Sequence, residues 1–273
     1  MRTLTIAFIL CLCTLRAQDT ISKWTLLNEY SLETDAIWTT DILENIYVVH
    51  NRTITKFDST GVKKFSQSIK SIGQVKEIIP INTMKLVLFS EEQQVLCLLD
   101  NTLTMSENLI DLSEYGIVNA SLATTSSQPE KIWILDQLNS RLLLLDLSGK
   151  MQFQEVRNLK GMLNLTEISS MVESNNHLFL IGSGKFYEFD IYGTLLNELE
   201  FGNSSNGALK CVPAGERFYW ILRDELIGQD LDGGNEQGVK LPVKQIVELK
   251  KAGDIYYFRT ADKILKYALK KTR

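Results

Sequence analysis

Five aspartates recur along this chain at nearly equal intervals. Asp58, Asp100, Asp146, Asp190 and Asp230 are separated by 42, 46, 44 and 40 residues, and each closes a pair of short apolar runs. The clearest copy is Lys131 to Lys150. There Ile132 to Leu135 and Arg141 to Leu145 are apolar, the break between them is Asp136 to Ser140, and Asp146-Leu147-Ser148-Gly149 ends the unit. Apolar runs this short, bounded by turn residues, read as strands buried on both faces. The turn has a physical reason: an Asp at position i caps the backbone, and a Gly at i+3 accepts the exit geometry of a type I turn. A lone hairpin of this kind is not stable in water. The chain supplies the missing cover by repeating it.

The other copies start at Asn45, Lys85, His177, Arg217 and Asp254. Periods of about 40–50 residues made of short strands are those of propeller blades with four strands each. No sustained 3.6-residue apolar pattern lies between the units, which excludes helical repeats. Innermost strands are expected at Ala36–Thr39, Val75–Ile81, Val118–Ala123, Ile168–Val172, Leu209–Val212 and Gln245–Leu249. More polar outer strands are expected at Lys63–Ile69, Met151–Val156 and Leu195–Phe201. The sixth copy ends in Ala268-Leu269-Lys270-Lys271 with no turn, while Lys23 to Ser31 looks like an outer strand with no inner three of its own. The expected fold is therefore all-β, a six-bladed β-propeller of four-stranded antiparallel blades, closed by the N-terminal strand completing the last blade. Cys97 and Cys211 fall in opposite blades, too far apart for a disulfide. Both read as small core hydrophobes.

Residues 1–17 differ in character. Arg2 precedes an apolar segment, Leu4 to Leu15, and Leu15-Arg16-Ala17 ends in a small residue. That segment is too short to span a bilayer and suits a secretory signal peptide. The expected product is one domain, 18–273, exported to the periplasm or the periplasmic face of the outer membrane, with no transmembrane segment and monomeric by itself. The residues before Cys11 and Cys13 are bulky, unlike a lipid-attachment signal. Cleavage leaves 27 basic against 33 acidic residues, a net charge of −6. This balance argues against a nucleic-acid or anionic-membrane partner. The basic end, Lys266 to Arg273, reads as solvated.

Over essentially the whole mature chain, the repeat resembles the six-bladed propellers of the NHL-repeat-like superfamily. The Gln18-Asp19 start resembles exported proteins of the Bacteroidota. The first resemblance implies that ligands or partners dock on the face carrying the inner-strand starts and the loops between second and third strands. On that face, His50, Arg52, Arg223 and Arg259 are the candidate anchors for a protein partner. Asp35, Asn119 and Glu167, at three inner-strand starts, are oxygen donors of the kind a hard cation takes. Six-bladed lactonases and esterases, which this pattern also resembles, hold one divalent metal, such as calcium, in the central channel. Here Lys76 and Lys210 share that ring and oppose a cation. The two histidines, His50 and His177, have no nucleophile-elbow motif beside them. The expected function is therefore non-catalytic protein binding in the cell envelope with no cofactor, such as an accessory subunit of an outer-membrane export or biogenesis machine. A metal-dependent hydrolase is the alternative.

Overall fold

The computed structural model describes residues 22–105, 109–148, 151–182, 184–200 and 211–271. The signal segment and Lys210 lie outside them. The described residues form six four-stranded antiparallel sheets. The first strand, β1 (Ser22–Ser31), belongs to the last sheet. Blade 1 comprises β2 (Ile37–Thr40), β3 (Ile46–His50), β4 (Thr53–Phe57) and β5 (Lys63–Ser68). Blade 2 comprises β6 (Glu77–Pro80), β7 (Lys85–Ser90), β8 (Val95–Asp100) and β9 (Ile110–Asp111). Blade 3 comprises β10 (Ala120–Thr125), β11 (Lys131–Asp136), β12 (Arg141–Asp146) and β13 (Met151–Val156). Blade 4 comprises β14 (Ser170–Ser174), β15 (His177–Gly182), β16 (Lys185–Asp190) and β17 (Leu195–Glu200). Blade 5 comprises β18 (Cys211–Ala214), β19 (Arg217–Leu222), β20 (Glu225–Asp230) and β21 (Gln237–Lys240). Blade 6 comprises β22 (Glu248–Ala252), β23 (Ile255–Arg259) and β24 (Lys263–Lys271), completed by β1.

The core is divided among the blade interfaces. One apolar cluster lies between each pair of neighbouring blades, including the pair 6 and 1. Strand β11 shows why the middle strands are apolar throughout. Ile132 and Ile134 face blade 2, while Trp133 and Leu135 face blade 4, and all four are buried. A strand packed on both faces has no solvent side on which to alternate.

Ring closure follows the sequence expectation. Strand β1 pairs antiparallel with β24, from Ser22 opposite Lys271 to Ser31 opposite Lys263, with a register shift between Leu26 and Asn28. Trp24 meets Tyr256 and Phe258 edge-on at 5.2 and 5.4 Å. Its indole N–H donates to the Lys240 carbonyl of blade 5 at 2.7 Å. At the other end, Tyr30 packs edge-on against Phe57 of blade 1. One terminal strand thus ties three blades together.

The turn aspartates behave as capping groups. Asp58 Oδ1 accepts from the N–H of Thr60 at 2.9 Å and of Val62 at 3.0 Å. Asp100 Oδ1 accepts from Thr102 N at 2.8 Å and Thr104 N at 2.9 Å. The Thr60 hydroxyl on Asp58 and the Thr102 hydroxyl on Asp100 lead the contacts that hold both carboxyls below the usual range. Gly61, Gly193 and Gly233 fill the left-handed exit position at φ 89°, 84° and 84°. In blade 2 that position is Leu103, at φ 68° and fully buried. A left-handed residue with a Cβ costs about 1–2 kcal/mol, and burying a leucine returns about 1.5–3 kcal/mol, so the packing sustains the exception.

Two expectations shift. Five inner strands begin one to three residues later than read, at Ile37, Glu77, Ala120, Ser170 and Glu248; residues 209–210, the expected start in blade 5, lie outside the described residues. Some run-in residues already donate to the neighbouring strand, as Lys76 and Val247 do to Phe89 and Arg259. Lys266 is not part of a solvated end. It lies within β24, is 3% exposed, and reaches Glu44 at 2.6 Å and the Ser59 carbonyl at 3.0 Å. Cys97 and Cys211 are buried thiols on β8 and β18, and burial pushes them up to about 11 and about 12.

Candidate interaction face

The face where the inner strands begin, called the top here, is built from the blade-to-blade connections and the hairpins between second and third strands. Among the described residues, four short 3-10 turns lie in those connections: Lys70–Ile72, Leu112–Tyr115, Leu159–Gly161 and Leu165–Glu167. Two are capped locally, by Asp111 accepting from Ser113 N and by Asn164 accepting from Thr166 N. These turns fix the loops without using the repeat, and the sequence reading missed them because each is shorter than any periodic signal.

The four candidate anchors fall into two kinds. His50 is half-buried, and its Nε2 lies 3.1 Å from Asp35 Oδ1. Arg259 is tied at both ends, donating to the Thr34 carbonyl at 2.8 Å and lying 3.5 Å from Glu248 Oε2. It joins blade 6 to the entry of blade 1. Arg52 and Arg223 are different. Both are exposed, sit at hairpin tips with φ 57° and 55°, and have no side-chain partner among the described residues. Some other tips with left-handed residues use their side chains: Glu44 reaches Lys266, Glu130 reaches Lys85, and Gln94 donates to and accepts from Ala120. A guanidinium held on strained backbone with nothing to bind is a group available to a partner.

The oxygen donors stand at the entries of three inner strands, in blades 1, 3 and 4. Asp35 is engaged with His50, and Glu167 accepts from Asn164 at 2.8 Å. Asn119 is exposed, its carbonyl accepting from Gln137 N at 2.9 Å. Lys76 pairs with Glu91 at 2.6 Å. Among the described residues no three His, Cys, Asp or Glu side chains are grouped to hold a metal ion.

Beneath this rim, the inner strands of alternate blades each contribute one glutamate that the sequence reading did not single out. Glu77 accepts from Ala123 N of blade 3 at 3.2 Å. Glu173 accepts from Trp133 Nε1 and Ser127 N of blade 3, both at 2.7 Å. Glu248 accepts from Trp38 Nε1 of blade 1 at 2.6 Å. Each carboxylate is a strut from an inner strand to a neighbouring blade: Glu77 and Glu248 reach the adjacent inner strand, and Glu173 reaches β11 and the loop after β10. Burial is the main cause that pushes the Glu77 carboxyl up to about 8, against the nearby positive charges of Lys76 and Lys250. Its side chain still touches water, yet protein surrounds it, as a channel wall requires. The available signal was an acid within a short inner run, as in Val75-Lys76-Glu77-Ile78-Ile79.

No family model matches this chain, and no curated protein matches it. Solved structures do. A streptogramin B lyase is similar with TM-score 0.59 and 15% identity, covering 85% of this chain and 78% of that one. BBS1N in complex with ARL6DN is similar with TM-score 0.56 and 10% identity, covering 84% and 76%. BamB from Moraxella catarrhalis is similar with TM-score 0.50 and 11% identity, covering 86% and 69%. A lyase and a protein complex share this likeness, so at these identities it speaks to the fold alone. The chain is an all-β propeller of six blades.

Proposed function

We propose that this chain is an exported binding propeller of the cell envelope, which holds another protein on its top face and carries out no reaction itself. The observation that carries the reading is the pair of exposed arginines, Arg52 and Arg223, held on left-handed hairpin tips of the top face with no side-chain partner among the described residues. Arginines are enriched among the few residues that dominate protein interfaces. His50 stands beside Arg52 on the same hairpin, and Arg259 holds the neighbouring loop in place. Within this reading the chain is an accessory subunit of an outer-membrane export or biogenesis machine, and its repeat resembles that of the NHL-repeat-like propellers. BBS1N, a propeller-like neighbour, is itself described in complex with a protein.

The test pairs metal analysis with cross-linked capture from envelope extract, using wild type and a variant with Asp35, Asn119 and Glu167 all changed to Ala. The binding reading expects wild type and variant to capture the same partner. Stoichiometric calcium in the wild type, lost in the variant together with ester or lactone hydrolysis, overturns it in favour of a metal-dependent hydrolase.

A further inference from the structure

A small pocket of about 80 Å³ opens on the top face between blades 5 and 6. Its walls are the hairpin tip Arg223-Asp224 and the connection from Leu241 to Ile246. Small-molecule sites run to roughly 300–1,000 Å³, while one water takes about 30 Å³. The space therefore suits a single polar group rather than a whole ligand.

The lining shows which group. Among the described residues, nothing accepts from the backbone N–H groups of Val243, Lys244, Gln245 and Ile246. The segment is nevertheless fixed at both ends. Leu241 N donates to the Asp224 carbonyl and Val247 N to the Arg259 carbonyl, each at 2.8 Å. Gln245 is left-handed, at φ 57°, and a left-handed residue paired with a right-handed neighbour is the backbone arrangement whose successive N–H groups favour an anion. Two cations border it. Neither Arg223 nor Lys244 has an ion-pair partner among the described residues, and both are exposed. Asp224 lines the same space. Its charge leaves the rim with a net single positive charge, which matches a carboxylate better than a doubly charged phosphate.

We infer that this pocket receives one carboxylate of a partner polypeptide, held by the backbone N–H groups of the 243–246 segment and by the side chains of Arg223 and Lys244. The inference rests on the protein-binding reading and names the chemistry of one of its contacts. The carboxylate has two sources, a chain terminus or an acidic side chain.

The test uses the isotope-labelled full chain and three short Gly/Ser/Leu peptides. One has a free C-terminus and no acidic residue, one is amidated with a single internal Glu, and one is amidated with no acid. The first or the second should shift the amide signals of residues 243–246 in a salt-sensitive way, and whichever does so identifies the source. Changing Arg223→Ala and Lys244→Ala together should weaken that binding by about tenfold or more, since charge-assisted bonds are each worth about 1.5–3 kcal/mol, while leaving the melting temperature unchanged. The inference fails if neither acid-bearing peptide moves these amides in millimolar excess, if the uncharged peptide moves them equally, or if the double variant binds like wild type. Partner capture that persists despite such a result leaves the docking reading standing without this contact. A wild-type chain that binds the peptide but captures no partner would instead count against the docking reading.

Discussion

The two faces of the propeller are built by different means. On the bottom, polar groups are used up locally. Asp41, only 5% exposed, accepts from Leu43 N, Asn45 N, Asn45 Nδ2 and the Tyr47 hydroxyl. Lys56 donates to the Asn101 carbonyl and Lys266 to that of Ser59, stitching blade 1 to blades 2 and 6. The turn aspartates cap their own backbones. On the top, connections differ in length and conformation, and Arg52 and Arg223 are left without partners among the described residues. What the repeat builds serves the fold; what departs from it is open to other molecules.

That contrast makes graded predictions. The largest effect should come from a change that damages both faces at once. Deleting Lys23 to Glu33 removes β1, exposes β24 as an edge and uncovers the Trp24 and Tyr30 contacts. With about 1.5–3 kcal/mol for each large side chain that loses its cover, the truncated chain should melt far below wild type or fail to fold. A truncated chain with the wild-type melting temperature would show that the ring does not need this clasp.

Next is the bottom face alone. Asp41→Ala leaves four donors without their acceptor, and a buried donor left unmet costs about 1–3 kcal/mol. Chemical denaturation should show a loss of about 3 kcal/mol, with the unfolding slope unchanged. A loss within error would mean that water replaces the carboxylate and that the bottom face is less self-contained than argued here.

A smaller, pH-dependent effect belongs to the channel between the faces. The Glu77 carboxyl stands at about 8 in the fold against an ordinary 4.5. Its contribution is thus fully present below about 4.5, declines as pH rises through that window, and is lost above about 8. Melting temperature should fall as pH is raised from about 5 to 9, and Glu77→Gln should flatten that fall. A variant with the same pH profile as wild type would assign the dependence elsewhere.

The smallest stability effect is expected on the top. Changing Arg52 and Arg223 to Ala together should move stability by no more than about 0.5 kcal/mol, as thermal unfolding would show. A large loss would mean that these arginines support the fold after all.

The same contrast explains what could be read in the sequence. Blade number and closure were legible because the Asp-x-x-Gly turns repeat and because the sixth copy lacks one that Lys23 to Ser31 supplies. The outer strands β9 and β21 were not, since Ile110–Asp111 and Gln237–Lys240 are too short or too polar to carry a period. The tips bearing Arg52 and Arg223 could be placed on the top face from strand order. That Arg259 is tied to Thr34 could not be, because that partner is 225 residues away and meets it only when the ring closes, whereas Glu248 faces it within blade 6. The channel glutamates were hidden for a related reason: each is satisfied by a donor from the next blade.

The most direct measurement compares the faces in cross-linked capture of a partner from envelope extract. One variant carries Arg52→Glu and Arg223→Glu on the top, and the other carries Ile42→Ser and Leu43→Ser on the exposed bottom tip. With both variants folded, the top-face change should weaken capture by about tenfold or more, as loss of interface arginines does, and the bottom-face change should leave it intact. Capture that survives the top-face change and is lost with the bottom-face change would contradict the account.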